Sequence, residues 1–212
     1  AITASLPEKI GGPRNLDYRY CWLRDPAFTL MVLMQAGYEK EAIAWRRWLL
    51  RAIAGAPDQL QTLYGIWGER QIIEWEASWL PGYRNSRPVR IGNAAVDQFQ
   101  LDVFGEVAEA LSATPEEEEE IRAPSTSLQA SLVNHLCDVW QEPDEGIWET
   151  RGRRQHFTYS KVMAWVALDR AIRHHERYDG NGNVAHWRKV RDRIHKQVCE
   201  RGFNKKLNSF VQ

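Results

Sequence analysis

Apolar positions recur at helical spacing along almost the whole chain. Pro26 to Ala36 reads as a helix, with proline in its first turn and Gly37 as its stop. Glu39 to Ala54 reads as a second, ended by Gly55 and Pro57. Residues 58 to 92 lose the period and hold Gly65, Gly68, Pro81, Gly82 and Pro88 among several aromatics. An irregular stretch of that length inside a compact domain is usually functional. Asn93 to Leu111 is expected as a third helix, Thr126 to Glu142 as a fourth capped by Ser125, Tyr159 to Arg177 as a fifth and Asn183 to Arg201 as a sixth. No alternating segment is long enough to argue for a substantial strand, so the expected class is all-α. Long and short connections alternate between the helices. The long ones carry Trp22, Arg24, Arg90, Trp148 and Glu149; the short ones, Gly37-Tyr38 and Tyr178 to Gly182, carry nothing chemical. That asymmetry predicts a helical toroid or solenoid with one functional face.

Composition narrows the function classes. Lys and Arg together number 28, as do Asp and Glu, so the formal net charge is zero. A neutral chain is a poor candidate for an electrostatic nucleic-acid binder or a polybasic membrane surface. No apolar run is long enough to span a bilayer. Cys21, Cys137 and Cys199 are far apart and form no Cys-x-x-Cys pair, which argues against a zinc site or a disulfide framework and makes a reducing cytoplasm the expected compartment. Ten tryptophans are many for 212 residues. Trp45, Trp48, Trp165 and Trp187 fall in helical patterns and suit a core, whereas Trp22 and Trp148 lie in polar, loop-like motifs. The acidic run Glu116 to Glu120 reads as a solvated helix start or loop tip, because adjacent like charges repel and do not converge on one ion. His174 and His175 are neighbours on a helix and point apart, and His156 is a lone loop histidine, so no metal and no cofactor are expected.

Two motifs carry candidate chemistry. Asn15 to Asp25 places Tyr18, Tyr20 and Trp22 beside Arg24 and Asp25. A carboxylate accepts from sugar hydroxyls, a guanidinium donates to them, and an indole covers the C–H face of the ring. Asp25 before Pro26 also suits a helix N-cap. Gly146 to Gly152 places Glu149 next to Trp148. A carboxyl desolvated by an indole keeps its proton more readily, as a general acid for a departing glycosidic oxygen must. Arg151, Arg153 and Arg154 compete for it as plain ion-pair partners. A third stretch, Ser86 to Asn93, offers Arg90 and Asn93 as hydroxyl donors or as anchors of their own loop. Gln98 and Asp102 suit support of that loop better than ligand contact.

With these motifs in view, the chain resembles glycoside hydrolase family 15, which comprises glucoamylases, glucodextranases and trehalases. The markers are Asn15 to Asp25, Leu80-Pro-Gly-Tyr83 with Ser86 to Asn93, Gln98 to Gly105, Asp144 to Gly152, and Phe157 to Trp165. The resemblance implies an (α/α)6 toroid whose members invert anomeric configuration. It implies that Arg24 and Asp25 grip the terminal non-reducing glucose, that Tyr18, Trp22 and Trp148 line the same region, that Arg90 lies near the scissile bond and that Glu149 is the general acid. Thr150 stands where fungal glucoamylases carry a second acid, which favours a small substrate such as trehalose over starch.

The resemblance further implies that residues 1 to 212 are a partial toroid of about six helices. The general base, the second half of the toroid and the β-sandwich that precedes it in prokaryotic members then lie outside these residues. Alone, the chain is expected not to hydrolyse. Self-association, or a partner segment completing the toroid, is expected to cover its cut edges. Two rivals stand beside this reading: a non-catalytic sugar-binding or scaffold module, and a phosphorolytic relative that cleaves glucosides with phosphate.

Overall fold

A computed structural model describes residues 6–53, 59–112, 119–178, 180 and 182–212. Among these residues the fold is mostly helical. The α-helices are α1 (Arg24–Gln35), α2 (Glu39–Ile53), α3 (Asp102–Ser112), α4 (Glu119–Val139), α5 (Thr158–Tyr178) and α6 (Val184–Gln197). The strands are two-residue antiparallel pairs: β1 (Cys21–Trp22) with β2 (Leu63–Tyr64), β3 (Trp75–Glu76) with β4 (Arg90–Ile91), and β5 (Phe203–Asn204) with β6 (Ser209–Phe210). The first two pairs fasten the long 59–92 connection. Trp22 sits opposite Leu63, and Glu76 opposite Arg90, so the aromatic motif and the Arg90 loop are both held by backbone ladders.

The apolar stripes meet around α3, which packs along α5 and also touches α1 and α4, while α6 covers the far side of α5. Val103, Phe104, Val107, Leu111, Leu136, Leu168, Ile172, Trp187, Val190 and Ile194 form one continuous buried cluster. Gly105 sets the close approach of α3 to α5: a Cβ there would lie 2.5 Å from the Met163 carbonyl oxygen. Trp187 is fully buried and still satisfies its indole, donating to Asn134 Oδ1 at 2.8 Å. Trp45, Trp48 and Trp165 pack against this cluster half-buried, as their helical spacing suggests.

Several expected boundaries shift. The third helix breaks: a short 3₁₀ turn covers Ala94–Asp97, residues 98–101 are non-helical, and α3 starts only at Asp102. Gln98 spends its side-chain amide, and Phe99 and Leu101 their backbone N–H groups, on the loop that carries Glu149, so this stretch does not continue the helix. Asn93 caps the 3₁₀ turn, accepting from Ala95 N at 3.0 Å. α4 starts ahead of Ser125 and runs through Pro124, so Ser125 is inside the helix and not its cap. Thr126 Oγ1 donates back to the Arg122 carbonyl at 2.9 Å across that stretch. Asp25 is not an N-cap either. Leu23 holds that position with no side-chain bond, and Asp25 lies in the first turn, where its charge still faces the positive end of the helix. Gly55, Pro57 and Glu116 to Glu118 lie outside the described residues.

Helix α3 also buries charge. Glu106 is 3 % exposed and accepts from Tyr159 Oη at 3.1 Å. Burial, with Asp102 nearby, pushes its carboxyl up to about 7. Between pH ~4.5 and ~7 the unfolded chain has released this proton and the folded chain has not, so stability falls as pH rises through that window. A tenfold change in proton affinity between the two states corresponds to about 1.4 kcal/mol. Glu106→Gln, which keeps an acceptor for Tyr159, is therefore expected to be more stable than wild type at pH 8 by up to ~3 kcal/mol and equal to it near pH 4.5. Urea denaturation of both proteins across this range checks it; a gap that does not change with pH contradicts the assignment.

Candidate active site

The loop from Glu145 to Arg154 is closed at its base by a two-way backbone bridge between Asp144 and Gln155, with both N···O distances 2.9 Å. The segment 98–101 stitches this loop down. Leu101 N donates to Asp144 Oδ2 at 3.0 Å, and Phe99 N donates to Glu145 Oε2 at 2.8 Å. Glu145 N donates to the Phe99 carbonyl at 3.1 Å, and Gln98 Nε2 donates to the Glu149 carbonyl at 3.2 Å. Beneath it, buried Lys161 on α5 donates to the carbonyls of Trp140 and Glu142 at 2.6 and 2.8 Å, and burial pulls its ammonium down to about 8. Gly146 turns the chain at φ +68°, where a Cβ would strike the Phe157 ring. Glu149 itself has φ +51°, a left-handed conformation that costs a non-glycine residue about 1–2 kcal/mol. A functional side chain is a common reason for such strain to persist.

Glu149 lies where this loop meets the amino-terminal motif. Its Oε1 accepts from Trp22 Nε1 at 2.7 Å and from Arg24 Nη2 at 3.1 Å. The other guanidinium nitrogen of Arg24 donates to Asp102 Oδ2 at 3.0 Å and to Gln100 Oε1 at 3.1 Å. Trp22, Arg24, Gln100, Asp102 and Glu149, drawn from three separate stretches of sequence, thus share one hydrogen-bonded cluster. Burial alone would lower the Arg24 guanidinium, but Asp102, Glu149 and Asp25 outweigh it and hold it protonated. Asp102 has no exposure, and burial pushes its carboxyl up despite Arg24.

Above the cluster is a cleft of about 580 Å³ lined by Tyr18, Arg90, Gln98, Trp148, Glu149 and Thr150 among others. That size falls within the range of small-molecule sites. Tyr18 packs on Trp22 with ring centroids 5.4 Å apart and is 43 % exposed; Trp148 is 85 % exposed. Burial, followed by the charge of Glu149, pushes the Tyr18 phenol up. Arg90 donates to the Pro13 carbonyl at 2.7 Å and faces Glu74 and Glu76, so its fork is largely engaged. Asn93 is buried and donates to the Asp17 carbonyl, anchoring its own loop. A larger, more open depression of about 680 Å³ between Tyr20, Ile66, Ile73 and Trp75 does not include Glu149.

The indole beside the Glu149 carboxyl is Trp22, not Trp148. Two of the three competing arginines are taken elsewhere: Arg151 makes a bidentate pair with Glu74 at 2.9 and 2.7 Å, and Arg154 pairs with Glu145 at 2.9 Å. Burial pushes Glu74 up, but the Arg151 bonds, the Ala94 N–H and Arg90 outweigh it and hold the carboxyl below its usual range. Asp25 is exposed at the start of α1 and is not part of the cleft lining, although it is close enough to act on the charge of Arg24. His156 is exposed, His175 is buried edge-on against Trp187, and among the described residues no group of side chains is arranged to hold a metal ion. Gln100 and Asp102 carry no local signal of their role, since their partner Arg24 lies more than seventy residues upstream.

The family model for glycosyl hydrolases family 15 matches residues 1–212. The chain belongs to that family. A trehalase of Mycobacterium tuberculosis is 40% identical over 206 residues, covering 95% of this chain and 30% of that protein. One from Thermoplasma acidophilum is 37% identical over 212 residues, covering 100% of this chain and 36% of that protein. Trehalase 1 of Sulfolobus acidocaldarius is 39% identical over 173 residues, covering 80% of this chain and 31% of that protein. The chain therefore spans about a third of the length of the curated relatives it matches. No solved structure matches it. Among the described residues no helix is long and apolar enough to cross a membrane.

Proposed function

We propose that these residues carry the acid half of an inverting α-glucoside hydrolase site, with trehalose or another short α-glucoside as substrate. The observation that carries the reading is the double hold on Glu149 Oε1 by Trp22 and Arg24 at the edge of the cleft. With Oε1 accepting twice, the transferable proton is carried on Oε2. It passes to the glycosidic oxygen as the bond to the anomeric carbon breaks, and the guanidinium and indole stabilise the carboxylate left behind. The terminal glucose sits in the cleft beside Glu149, with Tyr18 and Trp148 against its apolar face and Arg90 at the rim, while Trp22 and Arg24 hold the carboxyl from beneath. Thr150, bonded through Oγ1 to the Glu145 carbonyl at 3.1 Å, offers no second acid beside Glu149, which suits trehalose better than starch. The trehalase names of the relatives support the same choice.

Inversion needs a second carboxylate about 6.5–9.5 Å from the first, with a water between them. Glu8, the other carboxylate lining the cleft, is paired with Arg14. We therefore place the base on a segment outside these 212 residues, one that completes the (α/α)6 toroid and covers the exposed Phe28 and Val32 of α1. The three free cysteines suit a cytoplasmic protein.

The test is to assay trehalose with the chain alone and with the remainder of a family 15 catalytic domain joined or co-expressed. The chain alone is expected to release no glucose. The completed domain is expected to release α- and β-glucose in equal first-formed amounts by proton NMR, since inversion at one carbon of α,α-trehalose gives one of each. Two α-glucose molecules contradict inversion, glucose 1-phosphate favours phosphorolysis, and turnover by the chain alone contradicts an external base.

A further inference from the structure

Arg24 stands between two carboxylates that do not touch each other. One nitrogen meets Glu149 at the cleft, and the other meets Asp102 in the interior at 3.0 Å. Asp102 has no exposure, and its Oδ1 has no hydrogen-bond partner among the described residues. If Asp102 served only to pin α3 to the rest of the fold, the apolar contacts of α3 with α1 and α5 would already do so, and an ion pair in that place would be an expensive substitute for packing. The arrangement makes more sense for orientation. A guanidinium is a planar fork, so fixing one nitrogen on Asp102 and Gln100 fixes the direction in which the other points. Gln100 is itself fixed, donating to Gln98 Oε1 at 2.9 Å, and Gln98 holds the Glu149 carbonyl.

We propose that Asp102 is a positioning residue: it aims Arg24 at Glu149 Oε1, and through Arg24 keeps the carboxyl on the Trp22 indole and turned to the cleft. The inference rests on the reading of Glu149 as the acid, but its test needs no sugar. Trp22 Nε1–H donates to Glu149 and has no contact with Asp102, so its indole resonance reports the carboxyl's position from outside the Asp102 pair.

The chain is labelled with ¹⁵N-tryptophan and the Trp22 indole cross-peak is assigned by its loss in Trp22→Phe. Glu149→Ala, which removes the acceptor, sets the full displacement of that peak. Asp102→Asn is expected to move it by about half of that displacement or more, because neighbours in one network couple strongly. A helix pin would lower the melting temperature and leave the Trp22 peak in place, and that result overturns the proposal. Should Asp102→Asn not fold, Gln100→Met removes the other acceptor on the same nitrogen and is expected to move the peak in the same direction; an unmoved peak there overturns it equally. Glucose is then added to the wild type. A peak that ignores glucose but follows Asp102 leaves the positioning role standing and removes the sugar reading. A peak that follows glucose but ignores Asp102 does the reverse.

Discussion

Glu149→Gln in the completed hydrolase is expected to lower kcat for trehalose by about 10²–10⁴-fold, the usual contribution of a general acid, while KM changes little. The amide keeps the side chain's volume and leaves an oxygen to accept from Trp22 and Arg24, so the cluster persists. What is lost is the acidic proton for the leaving oxygen. Steady-state kinetics on both proteins check this. A substrate with a leaving group that needs no proton, such as an activated aryl α-glucoside or glucosyl fluoride, is expected to recover much of the rate in the variant. An equal loss on both substrates would mean that Glu149 shapes the site without donating a proton.

Arg24→Ala has the largest expected effect on stability. Its side chain is only 14 % exposed, and its removal leaves Asp102 buried without a counter-ion. Breaking a buried pair from one side costs about 3–5 kcal/mol. The penalty is for holding an unpaired carboxylate in the interior, so it is expected to shrink as the pH falls and Asp102 takes up a proton, whose uptake burial already favours. Denaturant titrations of wild type and variant at two pH values check both points. A loss below about 1 kcal/mol would place Arg24 among ordinary surface pairs. Sugar affinity is expected to fall with stability here, in contrast to Glu149→Gln.

The elements that depend on local pattern were legible in the chain. α2 starts at Glu39 and α5 runs within a residue of its expected ends, because period and flanking residues decide such boundaries. The break before Asp102 was not legible, since residues 98–101 leave the helix to bond a loop more than forty residues downstream. The same distinction runs through the site. Glu149 and the aromatic motif were visible from residue types, and the direct bonds of Glu149 to Trp22 and Arg24 bring them together. The identity of the neighbouring indole was not visible: adjacency in sequence pointed to Trp148, whereas strand pairing with Leu63 brings Trp22 under the carboxyl and leaves Trp148 in solvent. Asp25 illustrates the opposite limit. Its sequence neighbour Arg24 points inward, but the first turn of α1 turns Asp25 out to the surface.

The most direct measurement is an equilibrium titration of the chain with 1-deoxynojirimycin, a cationic glucose mimic, followed by tryptophan fluorescence in wild type and Glu149→Gln. Saturable quenching in wild type, weakened about tenfold or more in Glu149→Gln, is the expected result: the basic nitrogen of the inhibitor takes the proton of the acid and pairs with the carboxylate left behind, a charge-assisted contact worth about 1.4 kcal/mol or more that the amide cannot form. No saturable response, or equal affinity in the two proteins, contradicts a glucose-sized site at Glu149.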